Sequence, residues 1–440
     1  MNYAAKSKTI TGTGADRAAP PKPVQIRPFP YPYKAALAIC NDLDGIRSFA
    51  EMKAIHDVLN GRKMTPCGPG LNLEVGDSFH FFSVRPEQDD TLAYFDGLTN
   101  KPISEALALR EGIKSGLLDI IHTWGNYSQK GGFFREQALW AAEELGKYGL
   151  RISVWTNHGD RHNFQNLGRT DALGDVTEHS SRRGDRSKVL EYHADIARQI
   201  GIRYVWIKEL SPLPGQERKL DWRDWVEQGS DIGRSFIKGM MGRNSSLNPG
   251  QPLQWSNRLI RLGRLRDGGD YYEMLRYGDF RLDGSDHLPQ LLTARLLRRL
   301  VDVGGACLLY MHLGKGRPSP DVPFSKESYQ ALERLAQWAQ SGDIWVTTAS
   351  RLCRYVELRQ RMELKAQAVN GSALLTGSCA PTGDLSRPES AGLSFYLDAD
   401  SCKVMLEDAA EPITAVKNPP DHTGQVSFSI PQAPLEYCWE

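Results

Sequence analysis

Between residues 100 and 346 the hydrophobic positions switch repeatedly between two periods. Apolar residues three or four apart mark an amphipathic helix, a glycine closes it, and a short continuous apolar run follows. Residues 103–115 end at Gly116 ahead of LLDIIH, 135–148 at Gly149 ahead of LRISVW, and 187–200 at Gly201 ahead of IRYVWI. Residues 289–303 run into Gly304 and Gly305 ahead of ACLLYMH, and 325–341 end at Gly342 ahead of DIWVTT. In this last helix Tyr329, Leu332, Leu335, Ala336 and Ala339 form one stripe, with Ser325 as the candidate N-cap. A further strand, KAALAICN, precedes them all. Continuously apolar strands alternating with helices imply a parallel sheet covered on both faces, and six or more imply a (β/α) barrel. The expected fold is α/β: a barrel of seven or eight strands, complete or with a gap in the ring.

Two stretches break this rhythm. Residues 208–285 are rich in Gly, Arg and Trp and carry Arg258, Arg261, Arg264 and Arg266; they read as an insertion over one barrel face, and residues 57–100 as another. Residues 1–25 read as a flexible tail, which leaves 26–362 as the barrel unit. From residue 366 the runs ALLTG, GLSFYLD, KVMLED, ITAVKN, QVSFSI and LEYCW are short, β-prone and divided by turn residues. They predict a small antiparallel β-sandwich over 366–440.

Composition narrows the function classes. The 440 residues carry 54 basic and 53 acidic side chains, a net charge of +1, which argues against a nucleic-acid partner held by bulk charge. A hydrophobic fraction of 40% is too high for a disordered chain. Seven cysteines, an odd number without a CxxC pair, read as reduced thiols. The opening stretch has no apolar core of a secretory signal, and no run reaches the ~18 apolar residues of a membrane span. Cytoplasmic localisation is the expectation, with homo-oligomerisation left open.

The polar residues that end the apolar strands carry the chemistry. The first strand ends in Asn41-Asp42-Leu43-Asp44-Gly45, the next in His122-Thr123-Trp124-Gly125-Asn126, and the third in Thr156-Asn157-His158-Gly159-Asp160. ACLLYM ends in His312. In a parallel barrel the C-terminal strand ends share one face, where active sites are built. Carboxylates and imidazoles converging there are ligands for Zn²⁺ or a similar divalent ion. Asp42 and Asp44, two apart on extended backbone, point the same way, so that one can serve as ligand and one as general base. The competing interpretation is that strand-end aspartates cap the next helix and that His122 is a hydrogen-bonded core residue.

These motifs resemble the NodB-type polysaccharide deacetylases (carbohydrate esterase family 4), over about residues 30–360. NDLDG resembles the opening Asp motif in a D-x-D-G form, HTWGN the H-[S/T]-x-x-H metal motif, and CLLYMH the late His motif. WAQSGDIWVTTASRLCRYV resembles the closing helix–strand–helix. The resemblance implies Asp44 and His122 as metal ligands, Asp42 as general base and His312 as general acid. The cofactor it implies is a divalent metal, zinc first, with cobalt, nickel or manganese as alternatives. It implies loss of an N-acetyl or O-acetyl group from a sugar or glycan, such as a surface-polysaccharide precursor. The chain departs from the pattern in two places. Asn126 replaces the second motif histidine, leaving Asn126 and His158 as alternative third ligands, with Asp160 a weaker substitute. The Arg-containing motif that orients the base is not visible beside ISVWTNHGD.

Residues that could line a substrate site are Trp124, Asn157, Asp160, Phe79, His80 and Trp206; the aromatic stretch around Phe79 and His80 is equally readable as a buried strand. His193 reads as a core histidine. The arginine run can hold a phosphate or form a solvated helix face. Two alternatives stand beside a deacetylase. One is a catalytically silent carbohydrate-binding or scaffold protein on the same barrel, supported by Asn126 and the absent arginine. The other is a glycoside hydrolase using Asp42, Asp44 and Asp160.

Overall fold

A computed structural model of the chain describes residues 22–83, 91–127, 133–158, 165–168, 192–226, 257–265, 267–369, 372–382, 385–386, 388–407 and 410–439. Seven parallel strands close a ring: β1 (Ala35–Asn41), β2 (Asp77–Phe79), β3 (Leu118–Ile121), β4 (Val154–Thr156), β5 (Tyr204–Ser211), β6 (Asp270–Tyr277) and β7 (Ala306–Met311). The ring shuts where β7 pairs with β1 over its whole length, from Ala306 beside Ala36 to Met311 beside Asn41. Strand Ile344–Val346 pairs only with the start of β1. Its place further along β1 is taken by β2, which meets β1 at Asn41 and Asp77.

The period-two alternation of β1 sorts its side chains between two cores. Ala35, Leu37 and Ile39 pack outward with the surrounding helices, whereas Ala36, Ala38 and Cys40 face Ile120, Val154, Tyr204, Met274 and Leu308 from the other strands. This second core continues through Leu352, Cys353 and Val356 of helix Ala349–Arg361 into the C-terminal sheet. That helix is started by the Thr348 hydroxyl, which accepts from Arg351 N. Helix Lys326–Gln340 starts on the expected cap, Ser325 accepting from Ser328 N.

Four sequence expectations need correction. The stretches read as insertions, 57–100 and 208–285, each contain a barrel strand, β2 and β6. Neither shows as an apolar run: β2 has three residues, and β6 (DYYEMLRY) carries Asp270, Glu273 and Arg276, all buried. Residues 1–25 are not all tail, because Lys22–Val24 pairs with Leu364–Ala366. Nor is the C-terminal unit a two-layer sandwich. It is one seven-stranded sheet, antiparallel except where Ser372–Cys379 meets Ser401–Leu406, and it curls until Phe395 on its last strand bridges Ile26. Of the arginine run, Arg261 and Arg264 lie on strand Ile260–Arg264, antiparallel to β6, and not on a helix; Arg258 precedes that strand, and Arg266 is outside the described residues. The chain end returns to the barrel, where Trp439 Nε1 donates to Ala108 O at 2.9 Å and the indole packs edge-on to Phe49 and His56.

Candidate metal centre

The strand ends deliver their polar residues to one place, and backbone contacts between loops fix where each arrives. Asp42 N donates to Met311 O on β7, and Leu43 N donates to Ser78 Oγ on β2. Asn41 spans both neighbours, its amide donating to Asp77 Oδ1 while its carbonyl oxygen accepts from Leu313 N. Gly45 has φ +82°, and a Cβ there would sit 2.9 Å from Gly314 O, so the loops after β1 and β7 meet backbone to backbone. This contact sets Asp44 beside His312, with Asp44 Oδ2 3.3 Å from His312 Nε2. On the far side His122 N donates to Phe79 O. Thr123 follows with φ +57°, a left-handed conformation that is strained for a β-branched residue.

Asp44, His122 and His158 each present a ligand atom within 4.8 Å of the others. Of the two third ligands expected from sequence, Asn126 and His158, His158 stands with the other two. Its backbone is pinned on both sides by Asn166, N–H to Oδ1 and Nδ2 to O, both at 2.9 Å. Asn126 lies on the two-residue ladder Gly125–Asn126, paired with Phe82–Ser83. Two imidazoles and one carboxylate are donors that suit Zn²⁺ and its neighbours, so the residues present fit a divalent cation.

Asp42 lies deeper, with His122 Nδ1 3.2 Å from its Oδ1. Arg276, at the end of β6, donates through both guanidinium nitrogens to Asp42, at 2.8 and 3.1 Å, and is fully buried. Its guanidinium stacks on Trp206 at 4.1 Å, and Trp206 in turn stacks on Tyr310. Burial would raise the Asp42 carboxyl, but Arg276 and then His122 outweigh it and hold the group ionised, well below the usual carboxylate range. For Asp44, burial is likewise outweighed, by the hydrogen bond from His312 and the charges of His122, His312 and Lys315.

His312 has a second carboxylate. Asp283 Oδ2 lies 2.8 Å from its Nδ1, and Asp283 O accepts from His312 N. Burial works against the imidazolium, yet Asp283 and Asp44 push the His312 pKa up to about 9. Lys315 Nζ reaches Asp44 at 3.3 Å and Asp283 at 3.9 Å, at the exposed mouth.

The aromatic substrate-contact expectations are corrected. Trp124 is a core residue, fully buried against Trp155 and donating from Nε1 to His193 Nδ1 at 2.9 Å. Phe79 belongs to the barrel–helix core. Asn157 is also structural: it holds its own loop by donating to Leu167 O and accepting from Leu167 N and Trp155 Nε1. Trp206 faces Arg276 as its stacking partner. His80 reaches the site but is wholly buried, its ring 5.1 Å from that of His122. Asp160 lies outside the described residues. Arg276, Asp283 and Lys315 were missed, since nothing local marks a charge whose partner is 234 residues away. The only sequence signal for Arg276 was its position at the end of a β-prone octapeptide followed by glycine.

Among the described residues no helix is long and apolar enough to cross a membrane. No family model matches the chain, and no curated protein is significantly similar to it.

Proposed function

We propose that the protein is a metal-dependent hydrolase that removes an N-acetyl or O-acetyl group from a sugar or glycan, in the manner of the deacetylases its motifs resemble. The observation that carries this reading is the division of labour around one spot. A ligand triad, Asp44, His122 and His158, stands between an ionised carboxylate clamped by arginine and a histidine clamped by a second carboxylate.

Bound at the triad, a divalent ion would polarise the acetyl carbonyl and acidify water. Asp42 is kept anionic and oriented by Arg276, and it accepts a proton from the attacking water. As the new C–O bond forms and the bond to the sugar nitrogen or oxygen breaks, His312 delivers a proton from Nε2 to the departing atom. Asp283 holds the His312 ring through Nδ1 and stabilises the imidazolium before transfer. Acetate and the free amino or hydroxyl sugar result.

This arrangement also weighs against the alternatives. Both departures that supported a silent scaffold have candidate replacements, His158 for the missing imidazole and Arg276 for the missing arginine. A glycosidase needs a protonated carboxylic acid opposite an ionised carboxylate, and of its candidate carboxylates both described ones, Asp42 and Asp44, are held ionised.

The test is acetate release from N- and O-acetylated oligosaccharides by metal-loaded protein, alongside Asp42→Asn and His312→Gln. Loss of either group is expected to lower the rate by roughly 10²–10⁴. Release of reducing sugar without acetate would overturn the proposal in favour of glycoside hydrolysis.

A further inference from the structure

The described histidines near the centre include one that the proposed reaction does not use. His80 follows β2 immediately, and its backbone is fixed by Tyr94 N donating to His80 O at 2.9 Å. Its ring stands edge-on to His122 at 5.1 Å and stacked on His158 at 6.3 Å, while His122 and His158 are 5.4 Å apart. The three imidazoles therefore form a triangle, and Asp44 stands beside two of its corners, His122 and His158.

The chemistry of His80 is incomplete as it stands. It is fully buried, and neither Nδ1 nor Nε2 has a hydrogen-bond partner. The Thr123 backbone approaches the ring without the geometry of a hydrogen bond. A neutral imidazole carries one donor and one acceptor, and leaving such groups unsatisfied in a core is destabilising. Among the described core imidazoles, His56 is held at both nitrogens by Asn60 and Asp77, and His193 keeps one partner, Trp124 at Nδ1, whereas His80 has none at either nitrogen. If filling space were the role of position 80, phenylalanine would fill it without that penalty, as Phe79, Phe81 and Phe82 do alongside.

We propose that His80 is a fourth protein donor of the metal centre, so that the ion is held by three imidazoles and the Asp44 carboxylate. The inference rests on the metal reading above and adds to it. His80 lies outside the 4.8 Å span of the triad, so ligation requires its ring to turn towards the ion. Four protein donors fill a tetrahedral zinc shell and leave no vertex for water and substrate. The centre therefore favours ions that accept five or six ligands, such as Co²⁺, Ni²⁺ or Mn²⁺.

The experiment is titration of metal-stripped full-length protein with Co²⁺, wild type against His80→Phe, read by calorimetry and by the visible cobalt spectrum. The variant is expected to bind Co²⁺ at least about tenfold more weakly. The wild-type spectrum is expected to show the weak bands of a five- or six-coordinate ion, and the variant the more intense bands of lower coordination. Metal-free His80→Phe should melt no lower than metal-free wild type, because an unsatisfied polar ring has been removed. Unchanged cobalt affinity and spectrum in the variant would overturn the proposal while leaving the triad intact. Failure of wild type itself to bind any divalent ion would overturn both. If His80→Phe does not fold, His80→Gln is read by the same two measurements, with the same outcomes deciding.

Discussion

Arg276 offers the sharpest test of how the centre is built, because the residue is fully buried and its charge is matched by one carboxylate. Arg276→Met keeps most of the volume and the contact with Trp206 but removes both donors to Asp42. The Asp42 carboxylate then stays buried with only His122 and, at 3.4 Å, the Thr156 hydroxyl near it. Breaking one side of a buried ion pair costs roughly 3–5 kcal/mol, and loss of the guanidinium–indole stacking adds up to about 2 kcal/mol. A destabilisation of roughly 3–7 kcal/mol is therefore expected, read as a lower urea midpoint at unchanged slope. The double variant Asp42→Asn/Arg276→Met removes the stranded charge as well, and should recover a substantial part of the loss. The reasoning is refuted if Arg276→Met costs less than about 1 kcal/mol, or if the double variant is no more stable than the single one.

Other consequences follow from the same geometry. Asp283→Asn should lower acetate release less than His312→Gln does, since it loosens the proton donor without removing it; equal or reversed losses would contradict the assigned roles. At the seam with the C-terminal sheet, burial opposes ionisation of Asp421, but Thr423, Tyr396 and Arg27 bring its pKa down to about 2. A depressed carboxylate stabilises the fold above its unfolded pKa of about 4, and that contribution, about 2 kcal/mol, is lost as the pH falls from 4 towards 2. Asp421→Asn should remove it at neutral pH and flatten the acid limb of the stability curve, which unfolding at several pH values will show. Trp439→Ala should cost roughly 3–5 kcal/mol by emptying the site between Phe49, His56 and Gly112. A truncation after residue 434 that melts like the full chain would show that the returning tail is dispensable.

The parts of this fold that could be read from the sequence are those in which local pattern and tertiary role agree. β1, β3, β4, β5 and β7 are apolar runs because both their faces are covered, and their polar C-terminal residues follow directly. Asp42, Asp44, His122, His158 and His312 were found in this way. β6 escaped, and β2 stood only as one of two readings of the stretch around Phe79, because their polar residues are satisfied by partners from elsewhere: Asp77 by Asn41 and His56, Arg276 by Asp42. A buried charge paired across 234 residues looks locally like a surface residue. The opposite error affected Trp124 and Phe79. Aromatic residues at strand ends suit a sugar platform, but the pattern does not say which face of the strand end turns to the core. The curled C-terminal sheet was misread as a sandwich because strand spacing is the same for both, and it is closed by the Ile26–Phe395 bridge with the backbone bonds Arg27 N to Ser394 O and Tyr396 N to Gln25 O.

The central claim is that a divalent ion sits at the strand ends, held by this chain's own side chains. An anomalous-scattering map from crystals loaded with a single divalent metal tests it directly. The account predicts one strong peak, about 2.0–2.2 Å from a nitrogen of His122, a nitrogen of His158 and an oxygen of Asp44. No peak at that position, or a peak that lacks these three residues as ligands, would contradict it.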